Sequence, residues 1–196
     1  LYAVDYSIIQ KLLASIMVGF VIKLLDDYID GDSHFIYNHH LVENLGKAIL
    51  PYSMIAFAIG AGFHVTYCVT LMSACYMVGM FHDLNMKLPT GLRGYQESTL
   101  LLLINMYLFS FESVMTSILI ILLIQFIDDL VDQQWDKKYG YKNFANRFGK
   151  VEMIITSLII IILLMLFDFP KLMIVIFAYF MVQILYKKMF LKKYIK

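Results

Sequence analysis

Charge is what this sequence has least of. Only 16% of its 196 residues are Asp, Glu, Lys or Arg, against about a quarter in an ordinary soluble domain. With 61% hydrophobic residues and a mean hydropathy of +0.73, the chain cannot supply the polar surface of a soluble globule. Disordered, collagen-like and nucleic-acid-binding chains are excluded by the same figures. Cysteine is nearly absent. Cys68 and Cys75 lie in one apolar stretch, which excludes an oxidised framework and fits small buried residues. The apolar runs also lack the alternation of an outer-membrane barrel. Helices are the other backbone that satisfies itself in lipid. No small-residue cleavage site follows residues 4–21, so they read as a span and not as a cleaved signal. The expected fold is all-α: a polytopic transmembrane helical bundle forming a single integral-membrane domain over 1–196.

Apolar stretches at 8–25, 48–81, 98–127, 153–167 and 172–186 alternate with polar loops at 26–47, 82–97 and 128–152. A single helix over 48–81 or 98–127 would be about 45–50 Å long, too long for a hydrocarbon core of about 30 Å. Split in two, each half is short but tolerable around a polar cavity or in a thinned bilayer. Both options put the two acidic loops on one side, because each adds an even number of spans between them. The basic residues at 137–150 and in the lysine tail mark that side as cytoplasmic. Lys87 and Arg93 then favour the split, which keeps loop 82–97 inside. Seven spans are expected, five being the alternative, with the aspartate motifs and the C-terminus cytoplasmic.

The informative feature is an internal repeat. Leu24-Leu-Asp-Asp-Tyr-Ile-Asp30 is echoed by Phe126-Ile-Asp-Asp-Leu-Val-Asp132, 102 residues later. It divides the chain into pseudo-repeat halves at about 7–97 and 98–196. Each copy is expected to end an apolar helix. Helical spacing gathers Asp26, Asp27 and Asp30 on one face, and Asp128, Asp129 and Asp132 on another, with Asp136 one turn further on. Such clusters repel themselves at the edge of a low-dielectric membrane and call for a cation. Oxygen-only ligands suit Mg²⁺, whose remaining positions favour phosphate oxygens. One such cluster would pass as a solvated helix end, whereas two matching ones on one face point to chemistry. That chemistry is ionisation of an allylic diphosphate, whose leaving group the metal neutralises.

Asp128-Asp-Leu-Val-Asp132-Gln-Gln-Trp-Asp136-Lys-Lys-Tyr-Gly140, followed by Asn143-Phe-Ala-Asn-Arg147-Phe-Gly149, resembles the second aspartate-rich motif of the UbiA superfamily of intramembrane prenyltransferases. Asp26-Asp-Tyr-Ile-Asp30 is similar to its first motif, with Asp in place of Asn. The family's last motif-1 Asp aligns with His34 here, Asp32 being the nearest acid, and its Arg-Pro element is replaced by Ala48-Ile-Leu-Pro51. The resemblance spans roughly residues 10–190. It implies helices in two pseudo-repeats around a cavity, normally nine spans, of which this chain would keep seven. It further implies Asp27, Asp129 and Asp132 as catalytic metal-binding aspartates, and Lys87, Arg93, Lys142 and Arg147 as cap-loop residues gripping the diphosphate.

The expected function is therefore Mg²⁺-dependent transfer of a prenyl group from a prenyl diphosphate to an aromatic or lipid acceptor, within membrane lipid and without nucleic acid. The alternative is a terpene cyclase of the same superfamily, which needs no acceptor. A non-enzymatic cation-binding protein or transporter is disfavoured, because transport sites lie near the midplane. A CDP-alcohol transferase is disfavoured because Asp30-Gly31 lacks the Ala-Arg that its signature needs. Asn105 and Glu112, seven apart, would share a helical face, or Glu112 would mark the turn of a split stretch. His34, His39 and His40 have poor chelate spacing and read as loop residues. Phe63, Tyr67, Tyr76, Tyr107, Phe109 and Phe111 are candidates to hold a carbocation, or plain packing residues.

Overall fold

A computed structural model describes residues 2–30, 46–82 and 84–191. Seven helices follow one another: α1 (Tyr2–Asp30), α2 (Ile49–Gly79), α3 (Gly94–Leu108), α4 (Phe111–Tyr139), α5 (Phe144–Phe148), α6 (Lys150–Phe167) and α7 (Phe169–Leu191). Among the described residues no strand forms, and one isolated antiparallel bridge pairs Lys87 with Arg93. The all-helical class is as expected. Among the described residues five helices are long and apolar enough to cross a membrane: Tyr6–Asp26, Ile49–Gly79, Phe111–Tyr139, Lys150–Phe167 and Phe169–Tyr186. They are compatible with a multi-pass integral membrane protein.

Both long apolar stretches are broken. Within α2, His64 leaves the helical region (φ −158°, ψ 96°). Gly60 and Gly62 weaken the helix just before it, and His64 Nδ1 accepts a bond from the Tyr67 N–H at 3.4 Å, as an N-cap side chain does. The stretch 98–127 divides at Phe109 and Ser110, where Ser110 caps α4 by accepting from the Ser113 N–H at 3.3 Å. Glu112 thus stands in the first turn of α4, where an acid complements the helix dipole, and not at the turn itself. Asn105 is buried on α3 while Glu112 is exposed.

Two expected loops are shorter than read. The second acidic motif does not end its helix, because α4 continues through it to Tyr139. Between Asp128 and Tyr139 no glycine or proline interrupts, and the helix stops only where Gly140 takes a left-handed conformation (φ 77°). That is the usual C-terminal role of glycine. Loop 82–97 likewise yields to α3 at Gly94, where the Arg93 N–H donates to Gln96 Oε1 at 2.9 Å.

The described chain forms two compact units, Leu1–Met72 with Met173–Lys196, and Ser73–Leu172. In the first, α1 buries Ala14, Val18, Val21 and Leu24, and α7 buries Val175, Ala178 and Val182, spacings of three and four that define one face each. Small residues let the backbones approach. A Cβ on Gly60 would stand 3.0 Å from Met17 Cβ and 3.2 Å from Cys68 Sγ, and one on Gly19 would stand 3.3 Å from Val182 Cγ2. Close packing of this kind holds helices together in lipid, where no hydrophobic force acts between them.

In the second unit, α4 buries Val114, Ser117, Ile120, Leu123, Phe126 and Asp129, and packs on α6, which buries Met153, Ser157, Ile160 and Leu164. The opposite face of α6 exposes Leu158, Ile162 and Leu166, as a lipid-facing side would. Asp168 separates α6 from α7, and its Oδ1 caps α7 by accepting from the Lys171 N–H at 3.0 Å.

Candidate functional site: the aspartate motifs and their cap

The second motif is the better defined. Asp129 is buried at 5% exposure, and both carboxylate oxygens are engaged. Oδ1 accepts from Gln125 Nε2 at 2.8 Å, one turn earlier on α4, and Oδ2 accepts from the Phe144 N–H at 2.7 Å. Asn143 adds a second tie, its Nδ2 donating to the Asp129 main-chain oxygen at 2.8 Å and to Asp136 Oδ2 at 2.7 Å. Its Oδ1 accepts from the Asn146 N–H at 3.0 Å, which caps α5. Gln133 and Asn146 complete the seam: Gln133 Nε2 donates to Ala145 O, and Asn146 Nδ2 to Gln133 O. The end of α4 is therefore sewn to α5 by side chains spaced along the motif. Such charge-assisted bonds are about twice as strong as neutral ones.

Sequence spacing alone put the four aspartates on converging faces. The structure ties Asp129 and Asp136 together through Asn143, leaves Asp128 half-buried, and exposes Asp132. Among the described residues no three His, Cys, Asp or Glu side chains gather to hold a metal by themselves. The donor set still fits Mg²⁺, which is usually held by one or two carboxylates with phosphate oxygens and water completing the octahedron. The bonds from Gln125 and Phe144 hold the Asp129 carboxylate in a defined orientation.

In the first motif, the α1 backbone stays helical through Asp30. Asp26 is exposed, and Lys23 Nζ stands 3.3 Å from its Oδ2 and 5.9 Å from the centre of the Tyr186 ring. The side chains of Asp27 and Asp30 lie outside the described residues, as do Asp32, His34, His39 and His40.

The four expected diphosphate-binding residues are all exposed. Lys87 and Arg93 are directly opposite in their bridge. It is flanked by Gly94 N–H to Met86 O at 3.0 Å and Leu88 N–H to Leu92 O at 2.9 Å, a non-hydrogen-bonded pairing that brings side chains closest. Two cations so placed repel each other, and an anion between them would relieve it. Arg147 closes α5 with its guanidinium 5.2 Å from the centre of the Phe148 ring, and Lys142 lies in the segment before α5.

Glu97, which sequence reasoning passed over, anchors the hairpin. The hydroxyls of Thr90 and Tyr76 both donate to its carboxylate, and these bonds hold its carboxyl below the usual range. Of the aromatic candidates, Tyr76 is thereby engaged, Tyr107 and Phe111 are exposed, and Tyr67 is buried with the Lys11 ammonium 5.7 Å from its ring centre. Lys171, between two apolar stretches, is 1% exposed, with Nζ donating to Ser113 O at 2.6 Å, Thr116 Oγ1 at 3.0 Å and Ser113 Oγ at 3.3 Å. Only tertiary packing buries it. The signal that was available for Asn143 is its place just before Phe144, with Asn146 three residues on, an N-cap pattern. No protein family, no curated protein and no solved structure matches the chain.

Proposed function

We propose that the chain is a Mg²⁺-dependent, membrane-embedded prenyltransferase of the UbiA type. In this reading, aspartates of the motifs would hold Mg²⁺, which would supply the positive charge that neutralises a diphosphate leaving group. Lys87, Arg93, Lys142 and Arg147 add positive charge from the cap segments. The observation that carries the proposal is the repeated aspartate motif, whose second copy holds a buried, doubly hydrogen-bonded Asp129 beside the cap helix.

The repeat also supports seven spans. Shifted by 102 residues, Asp27 falls on Asp129, and the break at His64 falls two residues before the break at Asp168. The two arms of α2 then correspond to α6 and α7. Each arm, with α3, spans about 22 Å, short enough to need a thinned bilayer or a polar surround. In this arrangement the motifs, loop 82–93 and the C-terminus are cytoplasmic, as the basic residues favour.

Incubation of the purified chain with geranyl, farnesyl or geranylgeranyl diphosphate, Mg²⁺ and an aromatic acceptor tests the proposal. A prenylated acceptor is expected. A cyclic hydrocarbon or alcohol formed without acceptor would move the assignment to a terpene cyclase. No consumption of any diphosphate would overturn both.

A further inference from the structure

Beside the hairpin that Glu97 anchors, the second compact unit holds a cavity of about 360 Å³. Leu92 of the hairpin and Leu100, Leu101 and Ile104 of α3 form its apolar wall, while Tyr76, Thr90 and Glu97 meet at its polar end. From Glu97 to Ile104 the helix rises about 10 Å. Leu100 and Ile104 are themselves exposed, with Leu103 and Tyr107 beside them on α3. The cavity is therefore a groove open along one side. In the proposed seven-span arrangement that side meets lipid, and the polar end stands at the level of the headgroups.

The polar end accepts hydrogen bonds and offers none. An ionised carboxylate is acceptor-only, and a hydroxyl has a single proton to donate. The Tyr76 and Thr90 hydroxyls both spend theirs on Glu97. These bonds keep the carboxyl ionised, and among the described residues no cation pairs with it. Side-chain oxygens from three residues thus converge on the groove with no proton to give. Arg93 alternates with Leu92 along the ribbon, so Arg93 and Lys87 opposite it stand on the other face. The groove carries one formal charge, and it is negative.

We infer that this groove binds a membrane lipid whose head bears a primary ammonium, phosphatidylethanolamine, with the ammonium on Glu97, Tyr76 and Thr90 and an acyl chain along Leu100, Leu101 and Ile104. An ammonium has three N–H donors and no acceptor, the complement of a mouth that accepts and does not donate. The trimethylated head of phosphatidylcholine carries the positive charge without any N–H group. Phosphatidylglycerol brings net negative charge, and phosphatidylserine adds a second carboxylate, so Glu97 repels both. The inference uses the membrane placement of α3 and is independent of the diphosphate chemistry. It leaves Lys87 and Arg93 to the diphosphate.

The test is native mass spectrometry of the full chain in detergent, titrated with dioleoyl lipids that differ only in the head. Phosphatidylethanolamine, its N-methyl and N,N-dimethyl forms, phosphatidylcholine and phosphatidylglycerol are compared for wild type, Glu97→Gln and Ile104→Trp. Wild type should bind one phosphatidylethanolamine about tenfold more tightly than phosphatidylcholine, the difference expected of a charge-assisted hydrogen bond. Affinity should fall with each methyl added to the nitrogen. Glu97→Gln should erase the preference, and Ile104→Trp, which fills the groove, should weaken phosphatidylethanolamine binding without touching the carboxylate. A phosphatidylethanolamine with a diazirine on its acyl chain should label Leu100, Leu101 or Ile104. Equal binding of the methylated series, a preference that survives Glu97→Gln, tighter binding of phosphatidylglycerol, or labelling confined to other helices would each overturn the site. Should Glu97→Gln fail to fold, the methylation series and the label decide on wild type alone.

Discussion

The Phe144 main-chain N–H donates to Asp129 Oδ2 at 2.7 Å, across fifteen residues of sequence. One carboxylate of the second motif thus holds the start of α5. Its neighbour Asp132 is exposed. The two aspartates, equivalent as letters in a motif, are different in energetic terms.

That difference is measurable as stability. Asp129→Ala strands the Phe144 N–H and the Gln125 amide in a buried place, which should cost about 1–3 kcal/mol. Asp132→Ala, at an exposed position, should cost less than Asp129→Ala. Denaturant unfolding in mixed micelles, followed by fluorescence of the single tryptophan, Trp135, reads both. Equal stability of the two variants would remove the structural role of Asp129.

Lys171 predicts an asymmetry. Ser113→Ala with Thr116→Val removes both hydroxyl acceptors from a buried ammonium, for a loss of up to about 3–5 kcal/mol. Lys171→Met removes the charge itself and keeps the bulk, so it should cost less than about 1.5 kcal/mol. The same unfolding assay decides it. A methionine variant more damaged than the double variant would contradict the idea that the acceptors exist to satisfy the lysine.

Apolar runs and an absent strand pattern were enough to read an all-helical chain. The aspartate repeat was legible for the same reason, since acids near apolar helix ends are rare. What was not legible depends on contacts across the sequence. Asp128–Asp132 looks like a helix end by polarity, yet its helix continues because nothing before Gly140 breaks it. Lys171 follows Asp168-Phe-Pro between two apolar stretches, and only its meeting with Ser113 and Thr116 shows it to be interior. His64 is a break that two nearby glycines hinted at and a side-chain cap completed.

The Glu97 anchor sets a pH dependence. Hydrogen bonds from Thr90 and Tyr76 hold its carboxyl low. A depressed carboxyl contributes order that is complete above its unfolded value and lost as pH falls through the folded one. The hairpin should therefore remain ordered down to the ordinary Glu value of about 4.3 and loosen below it. A spin label at Leu92 reports the transition by its line shape. In Glu97→Gln the label should show no such acid transition, and an unchanged one would assign it to another group.

The proposed seven spans, with breaks at His64 and Ser110, make a prediction about topology. With Cys68 and Cys75 replaced by alanine, a cysteine at Met86 should react with an impermeant maleimide from the same side as one at Lys137. A cysteine at Phe109 should react from the opposite side. Met86 reacting with Phe109 would mean that α2 crosses once and that Lys87 and Arg93 lie away from the motifs.

The measurement that bears most directly on the proposed activity is Mg²⁺-dependent diphosphate release from farnesyl diphosphate by wild type, Asp27→Ala and Asp132→Ala, in the presence of an aromatic acceptor. Asp132→Ala isolates the chemistry, because it should leave the cap intact. Each variant should lose at least a hundredfold in kcat/KM, about 2.7 kcal/mol, while inserting as wild type does, and chelation of Mg²⁺ should abolish what remains. Wild-type rates in both variants would show that the repeated aspartates are not the catalytic centre.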